Sequence, residues 1–257
     1  MHRFVAVQRI TGILLMLFSF SMVPPIVVDQ LYEATTTGPF LMGLWITFLT
    51  GAVIWWPARN ERAELKTRDG FLITVLFWGV LGIFGAIPFY FADEAWHSYT
   101  DAVFESVSGL TTTGATTVAQ GLDDLPHALN YYRSQLHFLG GMGIVVLAVA
   151  VLPMLGIGGM QLYRAETPGP MKNSKLTPRI TETARVLWFV YLGLTGACGV
   201  AYWLAGMSPF DALCHAFSTL GTGGFSTHDQ SLGYFDSSAI EYVAMFFMLV
   251  GALNFAI

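Results

Sequence analysis

The chain has 257 residues, of which 54% are hydrophobic and only 11% charged, with a formal net charge of −5. A soluble domain usually carries about 25% charged residues, so this composition excludes an ordinary soluble fold. Its apolar residues cluster in repeated long runs, which excludes a single cleaved signal peptide as their explanation.

In chain order, apolar runs at 11–28 and 40–56 each supply roughly the ~20 residues that cross a bilayer. Runs at 71–91, 136–155 and 186–204 do the same, and another starts at Ala239. The expected fold class is an all-α polytopic membrane protein. Trp55 and Trp56 end the second run beside a basic loop, as interfacial anchors do. Cys198 and Cys214 lie in apolar stretches without paired spacing, so membrane packing is their expected role.

Charge sets the orientation. Arg3 and Arg9 flank the first run, Arg59, Arg62, Lys66 and Arg68 fill one loop, and Arg164, Lys172, Lys175, Arg179 and Arg185 fill another. Cytoplasmic loops carry the excess of Lys and Arg, which places these three regions and the N-terminus inside. The acidic segments holding Asp29, Glu33, Asp93, Glu94, Asp101, Asp123, Asp124, Asp211, Asp229 and Asp236 then face outside.

Between residues 71 and 155 the chain must go out and return once, yet 102–110 is a further apolar run of half a span. Such a short run reads as a re-entrant helix. The polar stretch behind it, "TTTGATT" at 111–117, must therefore line a watery cavity, because irregular backbone at membrane depth is tolerated only there or inside protein.

The pattern recurs. "DAVFESVSGLTTTGATT" at 101–117 aligns without gaps on "DALCHAFSTLGTGGFST" at 211–227. In the preceding spans Gly79, Gly82 and Gly85 recur as Gly193, Gly196 and Gly199, a spacing that suits close helix packing. In the following spans Gly141 matches Gly251. Each unit reads as span, short helix, polar glycine loop, span, and both run outward first. Parallel repeats imply an axis along the membrane normal. Polar loops meeting on such an axis have the architecture of a cation filter, in which carbonyls replace an ion's hydration shell.

Among single residues, Glu105 lies in the first short helix and Arg133 near the outer start of a span. Intramembrane charges are costly and usually paired, so an Arg133–Glu105 pair bracing the first loop is expected, with a headgroup-facing Arg133 as the alternative. Asp101 and Asp211 are expected to cap the short helices, and His215 and His228 to serve loop packing. No nucleophile–base arrangement, phosphate loop or metal-site spacing is present, so no enzyme is expected.

"FESVSGLTTTGATT", "FLGGMGIVVLAVAVLP", "GGMQLYRAETPGP" and "GGFSTHD" together resemble the Trk/Ktr potassium uptake family, on its Trk-type membrane-translocating branch. The resemblance covers essentially the whole chain. It implies four span–pore-loop–span repeats, of which this chain resembles the N-terminal half: two leading helices and a basic loop at 1–68, a first repeat at 69–163, a cytoplasmic linker at 164–185, and a second repeat at 186–257 ending inside its last span. It carries the family's filter onto Thr112, Thr113 and Gly114 and onto Thr222, Gly223 and Gly224, with potassium held at Thr112, Thr113, Thr222 and Gly223. Glycine at both Gly114 and Gly224 implies potassium preference, where serine would imply sodium. The resemblance further implies a bacterial inner-membrane location, membrane lipid around the spans, a homodimer and a cytosolic nucleotide-binding ring, with no nucleic-acid partner. The family's gating loop belongs to a third repeat. A secondary transporter with re-entrant hairpins, or a non-conducting half that assembles with a partner, remain open alternatives. Two loops cannot surround an ion, so residues 1–257 reconstituted alone are expected to pass no potassium-selective flux. Liposomes carrying a potassium gradient check this, and robust selective flux would point to a two-chain pore.

Overall fold

The computed structural model describes residues 2–32, 35–60, 67–92, 95–154 and 180–252. Its helices are α1 (His2–Ser19), α2 (Val23–Tyr32), α3 (Thr37–Ala58), α4 (Thr67–Gly85), α5 (Ile87–Ala92), α6 (Tyr99–Leu110), α7 (His127–Met154), α8 (Ile180–Leu204), α9 (Pro209–Leu220) and α10 (Ser238–Gly251). No strand occurs among the described residues. Four helical segments there are long and apolar enough to cross a membrane: Phe4–Tyr32, Thr37–Ala58, Val75–Ala92 and Val186–Leu204.

The first span is longer than the apolar run at 11–28. It extends from Phe4 through a 3-10 turn at Phe20–Met22 to Tyr32. Polar Gln8 enters the helix because its amide donates to the Ile54 carbonyl of α3 at 2.9 Å. Helices α1 and α3 cross where two glycines meet: a β-carbon on Gly12 would lie 2.7 Å from the Gly51 carbonyl oxygen, and the reverse distance is also 2.7 Å. Small residues let helix backbones approach where lipid offers no hydrophobic drive. The hairpin joining α2 to α3 is tied by Asp29, whose carboxylate accepts from the Thr36 amide at 3.0 Å and the Thr36 hydroxyl at 2.8 Å.

A second difference concerns the run at 136–155. Its helix already starts at His127, and Gly143 breaks the helical geometry with φ 59°. Asn130, Arg133, Ser134 and Gln135 are all buried in its first turns. They interrupt the apolar run in the sequence because their face meets protein, not lipid. Leu155 lies outside the described residues, as do Arg62, Lys66, Arg164, Lys172, Lys175 and Arg179.

The buried apolar side chains form two clusters. One gathers Phe18, Phe40, Phe89, Trp96, Leu129 and Tyr132 around α1, α3, α6 and α7. The other gathers Tyr191, Cys198, Tyr202, Ala216, Leu220 and Phe247 around α8, α9 and α10. Each glycine stripe is used only in part. A β-carbon on Gly82 would overlap Val107, and one on Gly85 would lie 2.5 Å from the Ser106 hydroxyl, so α4 packs tightly on α6. Gly79, Gly193 and Gly196 meet nothing within 4 Å, so among the described residues the packing expected of them is absent, whereas a β-carbon on Gly199 would touch that of Ala216 in α9 at 3.6 Å.

Candidate functional site

The two short helices start alike. Ser98 and Ser208 stand in extended conformation before the first turn. Each hydroxyl accepts from the amide three residues on, Asp101 at 3.1 Å and Asp211 at 3.0 Å, and donates to the same aspartate's carboxylate at 2.6 and 2.7 Å. Each is a serine N-cap whose hydroxyl also donates to the aspartate three residues on. The caps are therefore the serines, and Asp101 and Asp211 sit one turn in.

The helices also end alike. The amides of Thr112 and Thr222 donate to the carbonyls of Gly109 and Thr219, both at 3.1 Å. Those of Thr113 and Gly223 donate to Ser108 and Ser218, both at 2.9 Å. These paired bonds form a Schellman cap, whose left-handed residue is usually glycine. Here it is a threonine in each case, Thr112 at φ 55° and Thr222 at φ 51°. A β-branched residue held there stores about 1–3 kcal/mol of strain. Two residues on, Gly114 (φ 73°) and Gly224 (φ 95°) are left-handed again.

The loops meet. A β-carbon on Gly114 would overlap the carbonyl oxygen of Gly223, so this close approach requires glycine. Beneath the first loop, a β-carbon on Gly140 of α7 would overlap the Leu110 carbonyl, and its neighbour Gly141 lies against Gly221. Beneath the second, one on Gly251 of α10 would lie 3.1 Å from the Leu220 carbonyl. The six residues singled out from the sequence thus fall on two adjoining loops and are exposed or half-buried there.

The expected Arg133–Glu105 pair is formed and fully enclosed: Arg133 Nε donates to Glu105 Oε1 at 2.8 Å, with the side chains 1% and 0% exposed. A headgroup-facing Arg133 is ruled out by that burial. Glu105 also accepts from the Thr116 hydroxyl at 2.9 Å and the Thr117 amide at 3.1 Å, bracing the later half of the first loop. Arg133 continues to the second loop, where Nη1 donates to the Ser226 carbonyl at 3.0 Å.

In the second unit His215 stands where Glu105 stands in the first, 110 residues earlier, and Ser226 stands for Thr116. Nδ1 of His215 lies 2.8 Å from the Asp211 backbone carbonyl, a pure acceptor, so Nδ1 carries the proton. Nε2 then accepts from the Ser226 hydroxyl at 3.0 Å. An imidazole replaces the carboxylate brace.

Beyond the filter stretches the two loop segments clasp one another. The Asp229 carboxylate accepts from the amides of Gly121 at 2.9 Å and Leu122 at 2.8 Å. Asp123 accepts from the Asp229 amide at 3.1 Å and from His228 Nδ1. His228 stacks on Tyr234 at 3.5 Å, and its Nε2 lies 3.4 Å from Asp211 Oδ1. Hydrogen bonding from His228 lowers the Asp123 carboxyl below its ordinary 3.8, against the opposing pull of burial. A carboxyl depressed in the fold stabilises it above its unfolded value, and the contribution fades as pH falls through the folded value. The bonds that Asp123 accepts are therefore expected to weaken only on acidification below 3.8. Carboxyl-carbon NMR of labelled aspartate checks this, and an Asp123 midpoint at or above 3.8 refutes it. Asp123 is 40% exposed, so solvent screening keeps the energetic weight small.

Sequence reasoning missed His137, Phe225 and Asp229. His137 is buried in α7 and stacks on Phe225 at 4.2 Å. Its signal was a lone imidazole in an apolar span. For Phe225 the signal was the one bulky ring in a loop whose counterpart carries Ala115.

A family model described as a cation transport protein, TrkH, matches residues 38–257. The chain is 57% identical over 255 residues to the Trk system potassium uptake protein TrkH of Vibrio parahaemolyticus, covering 99% of this chain and 52% of that protein. It is 59% identical over 251 residues to the Halomonas elongata protein of the same name, covering 98% and 52%. Against the Escherichia coli K12 protein it is 53% identical over 257 residues, covering 100% and 53%. The crystal structure of the potassium transporter TrkH from Vibrio parahaemolyticus superposes with a TM-score of 0.83 at 52% identity, over 98% of this chain and 50% of that one. The chain spans about half the length of the curated relatives it matches.

Proposed function

The chain belongs to the TrkH family of cation transport proteins, and we propose that its two loops form half of a potassium-selective filter in a four-loop uptake protein. The observation that carries this reading is the recurrence, 110 residues apart, of a capped short helix ending in a left-handed threonine and glycine, with the two loops in contact at Gly114 and Gly223. Thr112, Thr113 and Gly114 supply one set of oxygens, and Thr222, Gly223 and Gly224 the other. Left-handed residues alternate with a residue of ordinary hand at Thr113 and Gly223, which supports carbonyls turned to one side. The ends of α6 and α9 that lead into the loops carry partial negative charge and favour a cation. Carbonyl oxygens replace its hydration shell, and the ion moves down its electrochemical gradient without covalent chemistry. Asp123, Asp229 and Asp211 on the outer segments raise the local cation concentration.

Rubidium or thallium replacing potassium in crystals of the full-length protein tests the assignment. Density within coordination distance of both loops is expected; its absence from either loop, in protein that transports, removes that loop from the filter.

The same reading takes up the family's homodimer, its cytosolic nucleotide-binding ring and its bacterial inner-membrane location with a cytoplasmic N-terminus. Residues 61–66 and 155–179, where the basic loops lie, are outside the described residues. A cysteine at position 63 is expected to label from the cytoplasmic side and one at 124 from outside; labelling of both from one side refutes the orientation.

A further inference from the structure

Arg133 and His137 stand four residues apart on α7, which puts them on one face of the helix. Both turn to the same residue of the other unit's loop. The Arg133 guanidinium carbon lies 4.4 Å from the Phe225 ring centroid, and the His137 ring stacks on that phenyl at 4.2 Å with 18° between planes. Arg133 Nη1 also holds the Ser226 carbonyl, and His137 Nδ1 lies 3.3 Å from the Ser218 hydroxyl at the end of α9. A β-carbon on Gly223 would overlap the His137 ring, so the loop backbone rests directly on the imidazole.

The two loops are thus held by different means. The first is braced from its own helix by Glu105 through Thr116 and Thr117. Ala115, the counterpart of Phe225, is exposed. The second loop is tied to its own helix by His215 at Ser226, where the first has a carboxylate, and by the Asp211 carboxylate, which accepts from the Thr227 hydroxyl at 2.7 Å, and its residues 225–227 are buried. One side chain, Arg133, joins both arrangements.

We propose that Arg133, His137 and Phe225 form a latch by which the closing helix of the first unit sets the position of the second loop, making them specificity-determining positioning residues; this rests on the filter reading given above. A filter separates potassium from sodium by where its oxygens stand. A loop freed from Phe225 keeps its sequence and its glycines but loses the fixed distance to Gly114.

The test uses the full-length protein in liposomes, reading the potassium-to-sodium permeation ratio beside thermal unfolding. Phe225→Leu, which leaves the Arg133–Glu105 pair in place, is expected to lower the ratio about tenfold, the weight of one cation–π and one stacked-ring contact. His137→Phe keeps the ring stack and is expected to retain the ratio, whereas His137→Ala loses it. Should Phe225→Leu fail to fold, Arg133→Lys serves instead: it keeps the charge beside Glu105, cannot also reach the Ser226 carbonyl, and is expected to lower the ratio similarly. A folded Phe225→Leu or Arg133→Lys protein with the wild-type ratio overturns the latch. Gly114→Ser is the control. If it lowers the ratio while the latch variants do not, the latch alone fails; if it too leaves the ratio unchanged, the filter reading fails with it.

Discussion

Gly114→Ser in the full-length protein is expected to cut potassium uptake at least tenfold and to weaken its preference over sodium, while Gly224→Ser costs much less. Both glycines are left-handed, at φ 73° and 95°. Any side chain in that region costs about 1–3 kcal/mol of backbone strain, and each 1.4 kcal/mol is about tenfold in an equilibrium. The two positions differ in space. A β-carbon on Gly224 meets nothing within 4 Å, whereas one on Gly114 runs into the Gly223 carbonyl oxygen. That neighbour is backbone held by the Gly223–Ser218 hydrogen bond at 2.9 Å, so it cannot rotate away as a flexible side chain does. Relief requires the loops to separate, which moves the oxygens proposed to bind the ion. Thr117→Ser should do far less, because it is the Thr117 backbone amide that Glu105 holds. Competitive potassium and sodium uptake in cells without other uptake systems decides the matter. Equal losses at Gly114 and Gly224 would mean that strain alone is at work and that contact between the loops is irrelevant.

What the sequence disclosed follows the physics of each signal. Span-length apolar runs marked most of the membrane helices because lipid imposes hydrophobicity on whatever faces it. The same rule concealed the start of α7, where Asn130, Arg133, Ser134 and Gln135 face protein and break the run. Glu105 and Arg133 were legible as a pair because opposite charges at membrane depth need one another. Ser98 and Ser208 were overlooked in favour of the aspartates three residues on; both residue types favour helix starts, and only the hydrogen bonds tell which of them caps. The clasp of Asp123 with Asp229 joins residues 106 apart, a proximity that no local pattern announces. Phe225 reads in one dimension as one more apolar side chain, and only its contacts with Arg133 and His137 give it a task. The glycine stripes of α4 and α8 misled in part for a related reason: small residues permit close packing, but a partner must be there to use it, and among the described residues Gly79, Gly193 and Gly196 meet none while Gly82, Gly85 and Gly199 do.

The enclosed ion pair carries the other large effect. Glu105→Gln and Arg133→Met are each expected to destabilise the full-length protein by about 3–5 kcal/mol, since each leaves one buried charge without its counterion. The double variant is expected to be more stable than either single one, because removing both charges together removes the desolvation cost that their attraction offsets. It should not recover fully. Arg133 also supports the Ser226 carbonyl, and Glu105 the Thr117 amide, at 3.0 and 3.1 Å, and neither group regains a charged partner. Stability and transport should therefore part company: the double variant regains unfolding temperature but not uptake, since each loop has lost a brace that the Arg133–Glu105 pair supplied. Thermal unfolding of the wild type, both single variants and the double variant in one detergent gives the coupling energy. Strictly additive losses would show that the pair, though adjacent and buried, contributes no coupling, and the bracing of the loops would then rest on the remaining hydrogen bonds alone.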